Sequence, residues 1–314
     1  MVLDEATAAL LGEMAKSGAK PLAEMTAPEA REFVSGLRQL YGPGPDMARV
    51  EDARVRSSGG SFPVRVIVPD APLDGVIVYY HGGGWVIGSL DDFEALGRHL
   101  ADRTNCAVVL VDYRLAPEYR YPTAVDDAWA ALLWVDAHID EVAGRRLPLV
   151  VAGDSAGGNL AAVVAQRTVA HDGPLLALQV LVYPVTDADL DTTSYADPAN
   201  QLMLTRESMV WFWDQYAPDV LSRNHSNASP LRAPTLVGLP PAVVVTAEHD
   251  VLRDEGELYA TRLLKSGVAV EHRRFEGQMH GFFTMVNVLP GAAAAMDYVA
   301  DAVKRHLAAE RQPA

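Results

Sequence analysis

From residue 75 onward, short runs of consecutive apolar residues stand between longer segments with helical spacing. The runs are Val76 to Tyr80, Ala107 to Val111, Leu147 to Ala152, Leu178 to Tyr183, Ala242 to Thr246 and Val268 to Phe275. An apolar run of this length, rich in valine, is the pattern of a fully buried strand. The segments near Phe93 to Arg103, Ala124 to Ala137, after Ser155 to Ala170, Asp254 to Ser266 and Ala292 to Ala309 predict helices. Strand and helix in alternation imply an α/β fold with a parallel sheet covered on both faces.

Two regions break this pattern. Residues 1–45 are amphipathic, with Leu3, Ala6, Leu10, Leu11 and Met14 at helical spacing. Thr26 before Pro28 and Glu29 predicts the start of a second helix running to about Leu40. The Tyr41-Gly42-Pro43-Gly44-Pro45 stretch ends it. Between this boundary and the alternating region, Val50 to Pro69 predicts two strands joined around Ser57 to Ser61. Residues 188–235 interrupt the alternation with polar loops and one helix from Thr205 to Tyr216. The expected architecture is therefore an α/β core, 46–187 and 236–314, under a helical cap, 1–45 and 188–235. The cap should sit over the carboxyl ends of the strands, where α/β sheets bind ligands.

Composition narrows the class. The chain has 314 residues, 49% of them hydrophobic, which suffices for a large core. Its net charge of -15 argues against nucleic-acid and anionic-membrane partners. The single cysteine, Cys106, cannot form an internal disulfide. No apolar run is long enough to span a bilayer, and Asp4, Glu5 and Glu13 stand where a signal peptide would be basic and then apolar. The expectation is a cytoplasmic protein. No metal-ligand spacing and no dinucleotide-binding glycine motif is present, so no cofactor and no metal is expected.

The chemistry gathers at strand ends. Gly153-Asp154-Ser155-Ala156-Gly157 lies between a buried strand and a helix, which fits a nucleophile elbow. A serine hydroxyl needs a base within hydrogen-bond reach, and the base needs an orienting acid. In elbow folds the chain order is serine, acid, histidine. Downstream of Ser155, Ala247-Glu248-His249-Asp250 and Met279-His280-Gly281-Phe282 are expected as loops after the last two strands. His280 is the candidate base and Asp250 the candidate acid. Glu248, Asp254 and Glu255 are rivals for the acid, and the last two are also explained by the start of a helix. His81-Gly82-Gly83-Gly84-Trp85 follows the first core strand, and consecutive glycines let backbone N–H groups line a cavity. Gly83, Gly84 and Ala156 are the candidate donors to an oxyanion. Trp85, Met209, Phe212 and Trp213 are the candidate substrate contacts. The last three can share one helix face, which would glue the cap to the core or close the acyl end of a pocket.

Taken with Asp112-Tyr113-Arg114-Leu115-Ala116-Pro117-Glu118 and Gly158-Asn159, these segments resemble the bacterial carboxylesterases related to hormone-sensitive lipase. The resemblance runs from about Pro63 to Phe283. It implies an α/β-hydrolase with a mostly parallel eight-stranded sheet and a helical cap. It implies cofactor-free cleavage of short- to medium-chain acyl esters by Ser155, His280 and Asp250. It also gives His81 the task of bracing the glycine loop. One departure stands out: that family usually has proline after the acid, and here Val251 follows Asp250. Rival readings are an amidase or lactamase with the same triad, and a non-catalytic ligand-binding module. The plant gibberellin receptor is such a module and has lost the histidine that His280 supplies here. The partner expected is a small ester. Val268 to Phe275, as a terminal strand, offers an edge for a homodimer.

Overall fold

The computed structural model describes residues 2–16 and 18–310; Met1, Ser17 and 311–314, and with them the outermost ends of the regions expected above, lie outside the described residues. Eight strands form one sheet: β1 (Arg49–Ser57), β2 (Gly60–Val68), β3 (Gly75–Tyr80), β4 (Cys106–Val111), β5 (Leu149–Asp154), β6 (Leu176–Val182), β7 (Ala242–His249) and β8 (Val270–Met279). Their order is β1-β2-β4-β3-β5-β6-β7-β8. The pairs β1–β2 and β2–β4 are antiparallel, and every later pair is parallel. The helices are α1 (Glu5–Lys16), α2 (Ala27–Gly36), α3 (Arg38–Tyr41), α4 (Leu90–Thr104), α5 (Thr123–Ala137), α6 (Ile139–Ala143), α7 (Ala156–Ala170), α8 (Thr193–Ala196), α9 (Arg206–Tyr216), α10 (Arg253–Lys265) and α11 (Pro290–Glu310).

The unbroken apolar runs are explained by two cores, one on each face of the sheet. Along β3, Val76, Val78 and Tyr80 pack with Leu132 of α5, Leu160 of α7 and Leu263 of α10. Their neighbours Ile77 and Tyr79 pack on the opposite face with Leu96 and Leu100 of α4 and Val299 and Val303 of α11. Each strand residue thus has an apolar layer to enter, whichever way it points. Among the described residues, no helix is long and apolar enough to cross a membrane.

The topology sets the position of the site. After β3 the chain moves to β4 on one side, and then returns to place β5 on the other side of β3. The carboxyl ends of β3 and β5 therefore flank a switch point, the place where open α/β sheets leave a crevice. The glycine loop leaves β3 there and the serine turn leaves β5.

Three expectations need correction. The helix expected from Thr26 to Leu40 is two, α2 and α3, interrupted at Leu37, whose N–H turns to the Val34 carbonyl. Its start is as read: Thr26 and Glu29 form a reciprocal capping box. Second, β7 and β8 run past their apolar segments, to His249 and Met279, so Glu248 and His249 belong to a strand. The ladder continues across a bulge to pair His249 with Met279. The extension is held by Glu248, which accepts from Gly277 N–H at 2.7 Å, and by the backbone of Asp4, which donates to Gly277. Third, β8 is the terminal strand, but it is not uniformly apolar; His272, Arg273, Arg274 and Glu276 are exposed along it.

Candidate active site

The turn after β5 carries Ser155 at φ 56° and ψ −119°, a conformation that side chains rarely adopt. Strain of this kind persists only where surroundings enforce it. They do so here: a Cβ at Gly157 would overlap the Tyr80 carbonyl of β3. A larger residue at 157 would push the elbow away from the sheet. Ser155 N–H donates to the Val182 carbonyl of β6, and Ser155 is 7% exposed. Behind it, Asn159 of α7 donates to the carbonyls of Val185 and Ala228, tying both ends of the inserted region to the elbow helix.

His280 directly follows β8. Its Nε2 lies 3.0 Å from Ser155 Oγ and its Nδ1 2.7 Å from Asp250 Oδ2. Asp250 directly follows β7 and is fully buried. Its second oxygen accepts from Leu252 N–H at 2.9 Å. The residue that replaces the family's proline, Val251, has its carbonyl held by the Ser194 hydroxyl of α8 at 2.6 Å. The rival acids are engaged elsewhere. Glu248 holds Gly277. Asp254 accepts from Ser194 N–H at 2.7 Å. Glu255 accepts from Thr186 and Asp187 N–H, and burial holds its carboxyl well above the usual range. The structure thus brings together Ser155, His280 and Asp250.

The loop after β3 is tightly committed. Tyr113 Oη donates to the His81 carbonyl at 2.8 Å. His81 Nδ1 lies 2.7 Å from the Gly82 carbonyl, and the ring stacks between Tyr113 and Phe93. Burial brings the imidazole down to about 4, so it is neutral near pH 7. The N–H groups of Val86 and Ile87 both donate to the Gly83 carbonyl. The N–H groups of Gly83 and Gly84 have no partner among the described residues, and both glycines line the main cavity with Ser155 and His280. Ala156 is fully buried at the first position of α7.

That cavity, about 830 Å³, lies between the strand ends and the two non-core regions. Leu11 and Met14 of α1, Phe33 and Val34 of α2, and Met209 and Phe212 of α9 are among its mostly apolar lining. Met209 and Phe212 are therefore where the helical spacing puts them. Trp85 and Trp213 are not in the lining. Trp85 has φ 60°, and its fully buried ring stacks on Tyr216 at 4.2 Å and packs tilted against Trp213 at 4.8 Å. These two tryptophans join the glycine loop to α9. Trp213 follows Phe212 by about 100° around the helix, enough to carry it out of the cavity. Asp154 was not among the sequence candidates, yet it also lines the cavity. Nothing in Gly-x-Ser-x-Gly marks the residue before the serine as functional.

The model of the α/β-hydrolase fold family matches residues 77–284, which hold the glycine loop, the elbow and both downstream residues. The chain belongs to the α/β-hydrolase family. Within it, the four motifs place the chain with the carboxylesterases related to hormone-sensitive lipase. This α/β-hydrolase is 43% identical over 280 residues to carboxylesterase NlhH of Mycobacterium tuberculosis, covering 86% of this chain and 88% of that one. It is 34% identical over 306 residues to ethyl acetate hydrolase of Pseudomonas putida, covering 95% and 96%. Among solved structures, a thermostable esterase from Pseudomonas putida ECU1011 superposes with a TM-score of 0.90 at 39% identity, covering 98% of both chains.

Proposed function

We propose that this α/β-hydrolase is a serine carboxylesterase for short- to medium-chain acyl esters, with residues 1–45 and 188–235 acting as the cap that shapes its pocket. The observation that carries the reading is the hydrogen-bonded line from Ser155 through His280 to Asp250, opening on an apolar cavity. Ser155 Oγ attacks the ester carbonyl while its proton passes to His280 Nε2. The oxyanion is received by the N–H groups of Gly83, Gly84 and Ala156. His280, held in orientation by Asp250, then protonates the departing alcohol, and water repeats the sequence on the acyl-enzyme. No step calls for a cofactor.

The acyl preference rests on the cavity wall. Each methylene that enters contributes about 0.8 kcal/mol until the pocket is full, after which overpacking costs more than burial returns. The expected profile of kcat/KM rises from acetyl to about butyryl or hexanoyl and falls by dodecanoyl. An optimum at palmitoyl would overturn it. Activity should not jump when substrate forms micelles.

Incubation with a fluorophosphonate followed by intact mass tests the chemistry. One adduct on the wild type and none on Ser155→Ala is expected. No adduct on the wild type would leave a ligand-binding module. Faster turnover of matched amides than esters would make the chain an amidase. The same reading includes pairing of two copies along the outer edge of β8, checked by light scattering of the purified protein.

A further inference from the structure

The residue before the nucleophile carries the further inference, which rests on the esterase reading above. Asp154 is a carboxylate almost wholly removed from solvent, at 4% exposure, on the wall of an apolar cavity. Burying a charge is costly unless it is well paired, and there is no cation in its hydrogen-bond set. Instead, one oxygen, Oδ1, accepts from Tyr79 Oη at 2.8 Å and from Gly82 N–H at 2.9 Å. The three residues of this link come from the two sides of the switch point. Tyr79 is the last residue but one of β3, Gly82 opens the glycine loop, and Asp154 ends β5. The fit at Gly82 is close, since a Cβ there would overlap Asp154 Oδ2.

The loop's first three carbonyls are already taken. The carbonyls of His81, Gly82 and Gly83 are taken by Tyr113, His81, and Val86 with Ile87. Asp154 takes the Gly82 N–H. The N–H groups of Gly83 and Gly84 have no such partner among the described residues, and they are the ones that the oxyanion of the proposed reaction requires. Oxyanion donors act only when held near 3 Å from where the charge develops. The loop and the serine are on different strands, so something must fix one against the other. We infer that Asp154 is a positioning residue that sets the register of the oxyanion loop against the Ser155 elbow through the Gly82 amide. It acts as an acceptor of two bonds, and it transfers no proton.

The test separates positioning from mere structure. The wild type, Asp154→Asn and Asp154→Ala are compared for kcat and KM on p-nitrophenyl butyrate, and for affinity toward an alkyl boronic acid, which forms a tetrahedral adduct on the serine. Asparagine keeps an oxygen at Oδ1 and should stay within about tenfold of wild type in kcat and adduct affinity. Alanine should lower both by about 10²-fold, the scale of losing one oxyanion donor, with KM changed less than about threefold. Wild-type kcat and adduct affinity in Asp154→Ala would overturn the inference. So would an Asp154→Asn variant as impaired as Asp154→Ala, because charge rather than acceptor geometry would then be at work. If Asp154→Ala does not fold, Asp154→Ser, whose hydroxyl is too short to reach Gly82, replaces it with the same expectations. Fluorophosphonate labelling of the wild type runs in parallel: its absence counts against the esterase reading itself, whereas normal labelling with unchanged variants counts against Asp154 alone.

Discussion

The floor and the roof of the cavity are built on different principles. On the floor, at the strand ends, most polar groups have a named partner at 2.6 to 3.0 Å, and positions are set by the sheet. The roof presents Leu11, Met14, Phe33, Val34, Met209 and Phe212, which offer shape and apolar area but few directed bonds. It is fastened to the floor at a few polar points. Arg31 of α2 donates to the carbonyls of Val86 and Ala116 at 2.8 Å and pairs with Glu118. Directed bonds fix what reaction is possible; shape selects which molecule undergoes it. Substitutions in the floor should therefore change rate by orders of magnitude, and those in the roof should change preference.

The sharpest break comes at the floor. Ser155→Ala and His280→Ala should each lower kcat by about 10³- to 10⁶-fold, and the double variant should be little worse than either, because such groups act as a unit. Losses that multiply in the double variant would show that the two do not serve one step. Next in size is Asp250→Asn, with a loss of about 10⁴-fold in kcat. Glu248→Gln and Asp254→Asn, which alter contacts beside the site, should cost less than about tenfold. A crippled Glu248→Gln would reassign the acid.

A stability measurement sharpens the comparison further. Burial pushes the Asp154 carboxyl from an ordinary 3.8 up to about 6. Between those values the folded chain holds a proton that the unfolded chain has released. Ionising Asp154 thus costs stability, a cost absent below about pH 4 and complete above about pH 6. Asp154→Asn should be more stable than wild type at pH 7, by about 3 kcal/mol. The difference should shrink as pH falls from 6 to 4, as read from urea unfolding at each pH. A constant difference across that window would show that the carboxylate is not strained by burial. The smallest effect belongs to the roof. Phe212→Ala should move the acyl optimum by a few carbons toward longer chains, with kcat on the best substrate kept within about tenfold. An unmoved optimum would place the acyl group elsewhere in the cavity.

The same division governs what could be read from the chain. The strands β3 to β6 were legible because both faces are buried, so apolar residues run without interruption. The elbow, the glycine loop and the two downstream residues were legible because close backbone approach demands glycine and because strand ends recur in order. The ends of β7 and β8 were not: Glu248, Glu276 and Gln278 read as loop, and only the long-range contacts with Gly277 and Asp4 keep them in the ladder. Trp85 and Trp213 read as pocket residues because they adjoin pocket residues. Their burial against Tyr216 depends on how α9 lands on the core, which local spacing does not encode.

The glycine loop and the roof meet at one point, where Phe212 lies so close to Gly84 that a Cβ at 84 would overlap its ring. For anyone recasting this enzyme toward new substrates, positions 84 and 212 are a single decision. A library that varies residue 84 alone samples only glycine in practice. Shrinking Phe212 first frees space at both, so the order of the two mutations matters, and because residue 84 sits at φ 59° the replacements then admitted are those that tolerate a left-handed backbone, asparagine first among them.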